Sequence, residues 1–175
     1  MRLGGITCPT QSRSKALLRL PRKSDWKNGA APMPETREGS LRRFFQQYAK
    51  ASLDGDTATV AASYAPTYIE SSPTSFAAWK VDDAYRKALD ERHAVMHGDL
   101  GLEGLDIELQ SIEEVAPSHY LVTANRKMAF ARGKSGPVTS AFPVTYVVKV
   151  SPKPEILAYM SRESEEAVMR RDGVI

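Results

Sequence analysis

A chain of 175 residues has the size of one domain and can bury a hydrophobic core, and its 42% hydrophobic and 26% charged residues are those of an ordinary globular protein. No apolar run approaches the roughly 20 residues of a membrane helix, so we predict no membrane partner. The net charge is +3, but residues 1–32 alone carry +6 and the rest therefore carries −3, which argues against a basic groove for nucleic acid.

Residues 1–32 are the first region that the composition sets apart. They lack a sustained apolar period and contain three prolines among scattered basic residues, which is typical of disorder. We predict either a disordered basic arm or sequence translated from upstream of a natural start at Met33. Residues 33–175 are predicted to be a single domain. The only cysteine, Cys8, permits no intrachain disulfide, which favours a reducing, cytoplasmic location.

Two helices are predicted at the start of this domain. Apolar side chains between Leu41 and Ala49 recur at the spacing of one helical face, with Ser40 as the N-terminal cap. Gly55 can supply the left-handed residue that ends this helix. Asp56 then caps a second, shorter helix, which includes Tyr64 and ends at Pro66.

A short strand and a long helix are predicted next. Tyr68 to Glu70 form the strand, and a serine and proline turn closes it. The third helix is predicted from Phe76 to about His97. Gly98 and Gly101 end it.

Beyond Gly104 the apolar period falls to two residues, which predicts antiparallel strands in hairpins. Three turn-forming stretches divide this region into four long strands: residues 117–118, 133–136 and 152–154. Pro143 cannot donate a ladder hydrogen bond, so we expect a bulge or a sheet edge there. A short polar helix from Glu163 to Arg171 follows the last strand.

The alternation assigns side chains to one face of each late strand. The second strand places on one face Tyr120, Val122, Ala124, Arg126, Met128 and Phe130. The third strand places together Val138, Ser140, Phe142, Val144, Tyr146, Val148 and Val150. The fourth strand places together Ile156, Ala158 and Met160.

This order of elements resembles the NTF2-like superfamily, in its SnoaL-like and ketosteroid-isomerase-like branch. The run from Phe44 to Asp56, followed by Val60 and by Tyr64-Ala65, is similar to the opening of that family, an aromatic helix ending in a Gly-Asp corner. The resemblance implies an α+β cone, in which a curved antiparallel sheet of about five strands wraps three N-terminal helices and a short C-terminal helix follows. It also implies a conical pocket.

Ketosteroid isomerase chemistry needs a carboxylate base and an oxyanion hole made by a tyrosine and a protonated carboxylic acid. The resemblance gives Tyr48 the place of the oxyanion tyrosine and gives Ser72 the place of the base. A neutral serine cannot accept a proton as a carboxylate does, and Thr145 stands where the second acid is expected. Both departures argue against that mechanism. Glu70 could substitute as base, because alternation points Glu70 and Ser72 to the same side of the strand.

The candidate site therefore combines polar and aromatic residues. The candidate catalytic residues are Tyr48, Glu70 and Ser72. Aromatic side chains could either line the pocket around a small, largely apolar ligand or fill the core. The candidate ligand-binding residues are Phe45, Tyr64, Tyr68, Trp79, Phe142 and Tyr146.

His93 and His97 would share one helical face and could both reach a metal ion, but two ligands make only half a site. Hydrogen-bonded or solvated histidines near a helix end are the alternative, and we predict no metal and no cofactor.

The sequence leaves two functions open. One is a cavity for a small, largely apolar ligand, with a cofactor-free isomerase, cyclase or dehydratase as its enzymatic form. The other is a noncatalytic domain that uses the open face of its sheet for dimerisation or for binding another protein. In both cases we expect a homodimer. Ligand identity and reaction type do not follow from the residues.

Overall fold

A curved sheet of six strands, together with four helices, makes up residues 36–175, the part of the chain that the computed structural model describes. The arm predicted for residues 1–32 lies outside the described residues. In chain order the elements are α1 (Arg37–Asp54), α2 (Thr57–Ala62), β1 (Tyr64–Ser72), β2 (Ser75–Lys80), α3 (Asp83–Ala94), which continues into a π turn (Val95–Asp99), β3 (Leu102–Ala116), β4 (His119–Gly133), β5 (Gly136–Lys149), β6 (Glu155–Ser161) and α4 (Glu165–Arg171). None of these helices is both long and apolar enough to cross a bilayer.

The strands lie in the order β2-β1-β6-β5-β4-β3. Strands β1 and β6 are parallel, and every other neighbouring pair is antiparallel. This arrangement confirms the predicted α+β class with a curved, mainly antiparallel sheet. The sheet has six strands where about five were expected, because one strand formed from residues predicted to be helical.

The first helix begins one turn earlier than predicted. Its cap is Thr36 and not Ser40, because the Thr36 hydroxyl oxygen accepts a hydrogen bond from the Gly39 amide at 3.1 Å. Gly55 ends the helix as predicted, in the left-handed conformation with φ 74°. Asp56 then caps α2 through its carboxylate, also as predicted.

Strand β1 is longer than the three residues predicted for it. Tyr64, predicted in the second helix, is the first residue of this strand and pairs with Ile156 of β6. Pro66 restricts the residue before it to extended backbone, so the helix ends ahead of it and the chain enters the sheet.

Helix α3 begins later than predicted, because residues 75–80 form strand β2 and pair with β1. Trp79 lies opposite Tyr68 in that pair. The Asp82 carboxylate then accepts hydrogen bonds from the amides of Ala84 and Tyr85, at 3.1 and 3.2 Å. This cap starts the helix at the next residue.

The core lies between the inner face of the sheet and the helices. The predicted alternating sets of β4 and β5 are buried there, with the first residue of the β5 set, Val138, only partly buried. Leu41 and Phe45 of α1 and Val168 of α4 pack against them, each fully buried. Each large side chain contributes about 1.5–3 kcal/mol through its burial.

A bulge in β6 changes which of its side chains point inward. Val147 pairs with Ala158, but Val148 pairs with Ile156, so Leu157 is an extra residue in the ladder. Beyond the bulge Tyr159 faces inward, and Met160, predicted to share a face with Ile156, is 38% exposed on the outside. A one-residue shift of register reverses the face of every following side chain.

Pro143 lies at a local edge of the sheet, which is one of the two positions predicted for it. It pairs with Asn125 of β4 on one side. On the other side the pairing of β5 with β6 ends at Val144, opposite Ser161, so Pro143 lies just beyond the last pair.

Candidate functional site

A cavity of about 360 Å³ lies between the inner face of the sheet and the helices. This volume is within the range of small-molecule sites. Its wall combines apolar and aromatic residues with a few charged groups from distant parts of the chain. Its aromatic and charged wall residues include Tyr48, Tyr64, Tyr68, Glu70, Trp79, Tyr85, Arg92, Arg126, Tyr159 and Glu165.

The tyrosines of the wall form two hydroxyl pairs. The hydroxyls of Tyr48 and Tyr64 are 2.7 Å apart, and those of Tyr68 and Tyr85 are 3.1 Å apart. Burial raises the pKa of Tyr64, Tyr68 and Tyr85, so these hydroxyls remain protonated at neutral pH. One hydrogen joins the two oxygens of a pair. Each pair therefore keeps a second hydroxyl hydrogen that it can donate.

Arg126 is the buried cation of the cavity wall. It lies in the apolar alternating set of β4, between Ala124 and Met128, and only 8% of it is exposed. Its Nε has no hydrogen-bond partner among residues 36–175. No ion pair within 4.0 Å in that part of the chain includes it.

The charge of Arg126 is nevertheless favoured by its surroundings. Burial lowers the pKa of the guanidinium, but the carboxylate of Glu165 raises it, and the net shift is upward. Burial likewise raises the pKa of the Tyr146 hydroxyl behind the wall, and the nearby Arg126 cation opposes that rise. Arg126 is therefore a permanent cation in this cavity.

Glu165 joins helix α4 to helix α3. It is hydrogen-bonded in an ion pair with Arg92, and its side chain is 16% exposed against 48% for Arg92. Burial raises the pKa of the Glu165 carboxyl, but Arg92 and then Arg126 lower it, and the net shift is downward. The carboxylate is thus ionised at neutral pH. This part of the wall holds two guanidinium groups and one carboxylate.

Glu70 and Ser72 lie on the same side of β1, as alternation predicts, and both line the cavity. The Glu70 carboxylate accepts a hydrogen bond from Trp79 Nε1 at 3.1 Å. The Ser72 hydroxyl is 2.8 Å from the Ser75 hydroxyl and accepts a hydrogen bond from the Ser75 amide at 3.1 Å. Ser72 thus holds the turn into β2, whereas the Glu70 carboxylate lies on the cavity wall.

The structure brings most of the predicted site residues together. Six of them line the cavity: Tyr48, Tyr64, Tyr68, Glu70, Ser72 and Trp79. The other three, Phe45, Phe142 and Tyr146, lie in the core and not on the cavity wall. Phe45 packs on Tyr146 with ring centroids 4.7 Å apart, directly under the sheet.

Sequence reasoning missed several wall residues: Tyr85, Arg92, Arg126, Tyr159 and Glu165. Arg126 carried a usable signal, because a charged residue inside an apolar alternating set is either an interruption of the pattern or a buried functional group. The other four lie on elements that only the fold brings together.

His93 and His97 stack on each other at the cavity wall, with ring centroids 4.2 Å apart. His93 Nε2 lies 3.3 Å from the carbonyl oxygen of Leu53. Burial and the neighbouring His93 lower the pKa of His97, which favours the neutral ring. Nowhere in residues 36–175 do three or more metal-ligating side chains cluster.

Replacing Gly55 with alanine is expected to destabilise the protein by about 1–2 kcal/mol, because alanine is strained at φ 74°. A Cβ there would also lie 2.7 Å from Cε1 of His93. Urea denaturation measures the change. Gly173→Ala is the control, since it shares a positive φ of 78° but has open space for the new carbon. Equal losses in the two variants would contradict a role for the His93 contact.

No protein-family model and no curated protein matches the sequence, but solved structures do. An NTF2-like protein of unknown function from Shewanella oneidensis MR-1 is similar with a TM-score of 0.60 and 13% identity, over 73% of this chain and 100% of that one. An NTF2-like protein with a cystatin-like fold from Novosphingobium aromaticivorans gives a TM-score of 0.57 and 12% identity, over 77% and 86% of the two chains.

A third similar structure is an NTF2-like protein of unknown function from Pseudomonas putida KT2440, with a TM-score of 0.53 and 14% identity, over 74% of this chain and 89% of that chain. At such low identities the likeness concerns the fold. Ligands and reactions are set by side chains grafted on a fold, so function has to be argued from the cavity itself.

Proposed function

The chain has the NTF2-like fold, and we propose that the cavity of this fold binds a small organic molecule with a flat, largely apolar body. The observation that carries the proposal is a cavity of about 360 Å³ walled by five tyrosines and a tryptophan. Aromatic side chains of a wall offer large apolar surfaces to a flat ligand and hydroxyl groups to orient it.

The tyrosine hydroxyls favour a binding role over simple core packing. A core position is served equally well by phenylalanine, whereas four of these hydroxyls are arranged in pairs at 2.7 and 3.1 Å on the cavity wall. Each pair keeps one hydrogen for a ligand acceptor. This supports a ligand that carries oxygen atoms on its apolar body.

A thermal-shift screen of the full chain tests the proposal directly. The panel contains steroids, aromatic polyketides, small lactones and flat aromatic acids with their amides. A ligand at 100 times its dissociation constant adds about 2.7 kcal/mol to the free energy of unfolding, so a binder should raise Tm visibly. A panel without any stabilising compound would contradict a ligand-binding cavity.

Replacing Tyr48 with phenylalanine should weaken binding of any stabilising compound by about 0.5–1.5 kcal/mol, through loss of one hydrogen bond. Calorimetric titration measures the change in Kd. Tyr120→Phe is the matched control, because Tyr120 is buried in β4 but does not line the cavity. Unchanged affinity in the Tyr48 variant would remove this residue from the binding site.

The enzymatic form of the proposal is a cofactor-free isomerase, cyclase or dehydratase with Glu70 as the base. A carboxylate on the cavity wall supports this role, since proton transfer needs a base within hydrogen-bond reach of the substrate. Tyr48 would donate to the developing oxyanion. Glu70→Gln should then abolish turnover of a bound compound while leaving its affinity in place. Full turnover by this variant would exclude Glu70 as base.

A second candidate function is association of two copies through the outer face of the sheet. Large apolar side chains are exposed there, with Ile69 40%, Phe76 72% and Met160 38% exposed. They are neighbours, because Ser71 pairs with Phe76 on one side and with Met160 on the other. An exposed apolar patch of this kind is typical of an interface.

Replacing Phe76 with glutamate should convert such a dimer to monomer at concentrations where the unchanged protein is dimeric. A buried carboxylate in an apolar contact is strongly unfavourable. Sedimentation equilibrium measures the mass. Val115→Glu is the control, since Val115 is also exposed but lies on β3, at the opposite edge of the sheet. A Phe76 variant that stays dimeric would exclude this face.

A further inference from the structure

Arg126 is a buried cation that forms no ion pair within 4.0 Å in the described part of the chain, although the nearby Glu165 carboxylate favours its charge. It is 8% exposed, it lines the cavity, and its Nε lacks a hydrogen-bond partner among residues 36–175. Burial of a guanidinium N–H group without an acceptor destabilises a protein, and apolar residues of similar size serve the inner face of a strand better. A buried guanidinium with a free N–H on the cavity wall indicates that a ligand in the cavity supplies the acceptor group.

The charges around Arg126 indicate the charge of that group. Arg92 and Arg126 are cations, and the Glu165 carboxylate is the one anion bonded to either of them in the described chain. This end of the cavity therefore has an excess of one positive charge. Glu70, the other carboxylate of the wall, lies on β1, three strands from β4, or about 14 Å across the sheet. A monoanion balances the excess.

The shape of the Arg126 guanidinium and the aromatic wall of the cavity indicate the chemical class of the ligand. A planar guanidinium matches the two oxygens of a carboxylate in a bidentate hydrogen bond. Tyr64 and Tyr68, with ring centroids 4.2 Å apart, offer aromatic surface to the rest of the molecule. A doubly charged phosphate would exceed the local positive charge.

We propose that the ligand is a flat, mainly aromatic monocarboxylate whose carboxylate group is bound by Arg126. The inference rests on the proposed ligand-binding function and names its ligand class. In this arrangement the tyrosine hydroxyls lie along the body of the ligand, and Glu70 lies towards the end that is remote from the carboxylate.

Calorimetric titration of the full chain with matched pairs of acids and amides tests the inference. The probes are 2-naphthoate with 2-naphthamide, and cinnamate with cinnamamide. The amides keep the shape and lose the charge. We expect the acids to bind roughly 10- to 100-fold more tightly than the amides, the range of a charge-assisted hydrogen-bonded pair. Inorganic phosphate is expected to bind more weakly than either acid.

Variants at Arg126 locate the effect. Arg126→Met should bind the acids and the amides equally, because methionine keeps an apolar side chain and lacks the guanidinium. Arg132→Met is the control on the same strand, since Arg132 is exposed and hydrogen-bonded to the carbonyl of Gly98 at 3.0 Å. It should keep the preference for acids.

The outcomes separate this inference from the proposed function. Equal binding of acids and amides by the unchanged protein, or a preference for acids that survives in Arg126→Met, would overturn the carboxylate site and leave a ligand-binding cavity. Tighter binding of phosphate than of the acids would also overturn it. No binding by any acid or amide, while a steroid, polyketide or lactone of the screen still binds, would overturn the carboxylate class alone. No binding by any compound of the screen would overturn both proposals.

Discussion

Replacing Phe45 with alanine is expected to lower the free energy of unfolding by about 3–5 kcal/mol, the range for a truncated core aromatic. Phe45 is fully buried in α1 and packs on Tyr146, itself fully buried, with ring centroids 4.7 Å apart. The truncation removes this contact and leaves a cavity between the helix and the sheet. Urea denaturation followed by circular dichroism measures the loss.

Val115→Ala is the surface control for this substitution. Val115 is 50% exposed and lies outside the apolar face around Phe76, so its truncation should change stability by less than about 0.5 kcal/mol. Phe45→Leu separates the two roles that the sequence left open for Phe45. If the residue only packs the core, this variant should bind the cavity ligand as the unchanged protein does. A loss of affinity without a loss of folding would instead place Phe45 in contact with the ligand.

Replacing Glu165 with glutamine is expected to lower the free energy of unfolding by about 2–3 kcal/mol at neutral pH, because it removes the anion that two guanidinium groups share. Arg92 is bonded to Glu165, and the same carboxylate favours the charge of the buried Arg126 guanidinium. The full effect of breaking a buried pair is reduced here because the Arg92 side chain is 48% exposed. Adding Arg126→Met to this variant should recover part of the loss.

The difference in the free energy of unfolding between Glu165→Gln and the unchanged protein should depend on pH. The pKa of the Glu165 carboxyl is lower in the folded protein than its ordinary value of 4.5, so the stabilisation is present above that pH and disappears as the pH falls through the folded value. The two proteins should therefore converge in stability in acid. Glu166→Gln is the control, since its pair with Arg170 is exposed on both sides and contributes about 0–1 kcal/mol. A pH-independent difference would contradict the ion-pair explanation.

The late strands were predictable because each one buries a single face. From His119 to Lys149 the alternation of apolar and polar residues in the sequence matches the alternation of buried and less buried side chains in the sheet. The helix caps at Gly55 and Asp56 were predictable for an equally local reason, since each side chain or backbone conformation acts within one turn.

Strand β2 and the bulge at Leu157 could not be predicted from local pattern. The segment from Phe76 to Trp79 contains two alanines, which favour a helix, and it becomes a strand because it pairs with β1. The bulge depends on the register between β6 and β5, which is a property of the assembled sheet. This bulge puts Tyr159 on the cavity wall.

The site was predictable where it depends on one element and hidden where it depends on several. Glu70 and Ser72 were placed on one side by the period of their own strand. Arg92 lies on α3 and Glu165 on α4, and strands β3 to β6 separate these helices in the sequence. Their contact therefore has no local signature. Arg126 was predictable only in part. Its inward direction follows from the alternation of its own strand, but the lack of a hydrogen-bond partner for its Nε does not.

The most direct measurement is the NMR signal of the Arg126 side chain during titration. In protein labelled with 15N arginine, the Nε–H signal of Arg126 is the one that disappears in Arg126→Met. On addition of 2-naphthoate, a carboxylate bonded to the guanidinium should shift this signal in a saturable way, and 2-naphthamide should leave it in place. An Arg126 signal that stays unmoved while 2-naphthoate binds would contradict the carboxylate site.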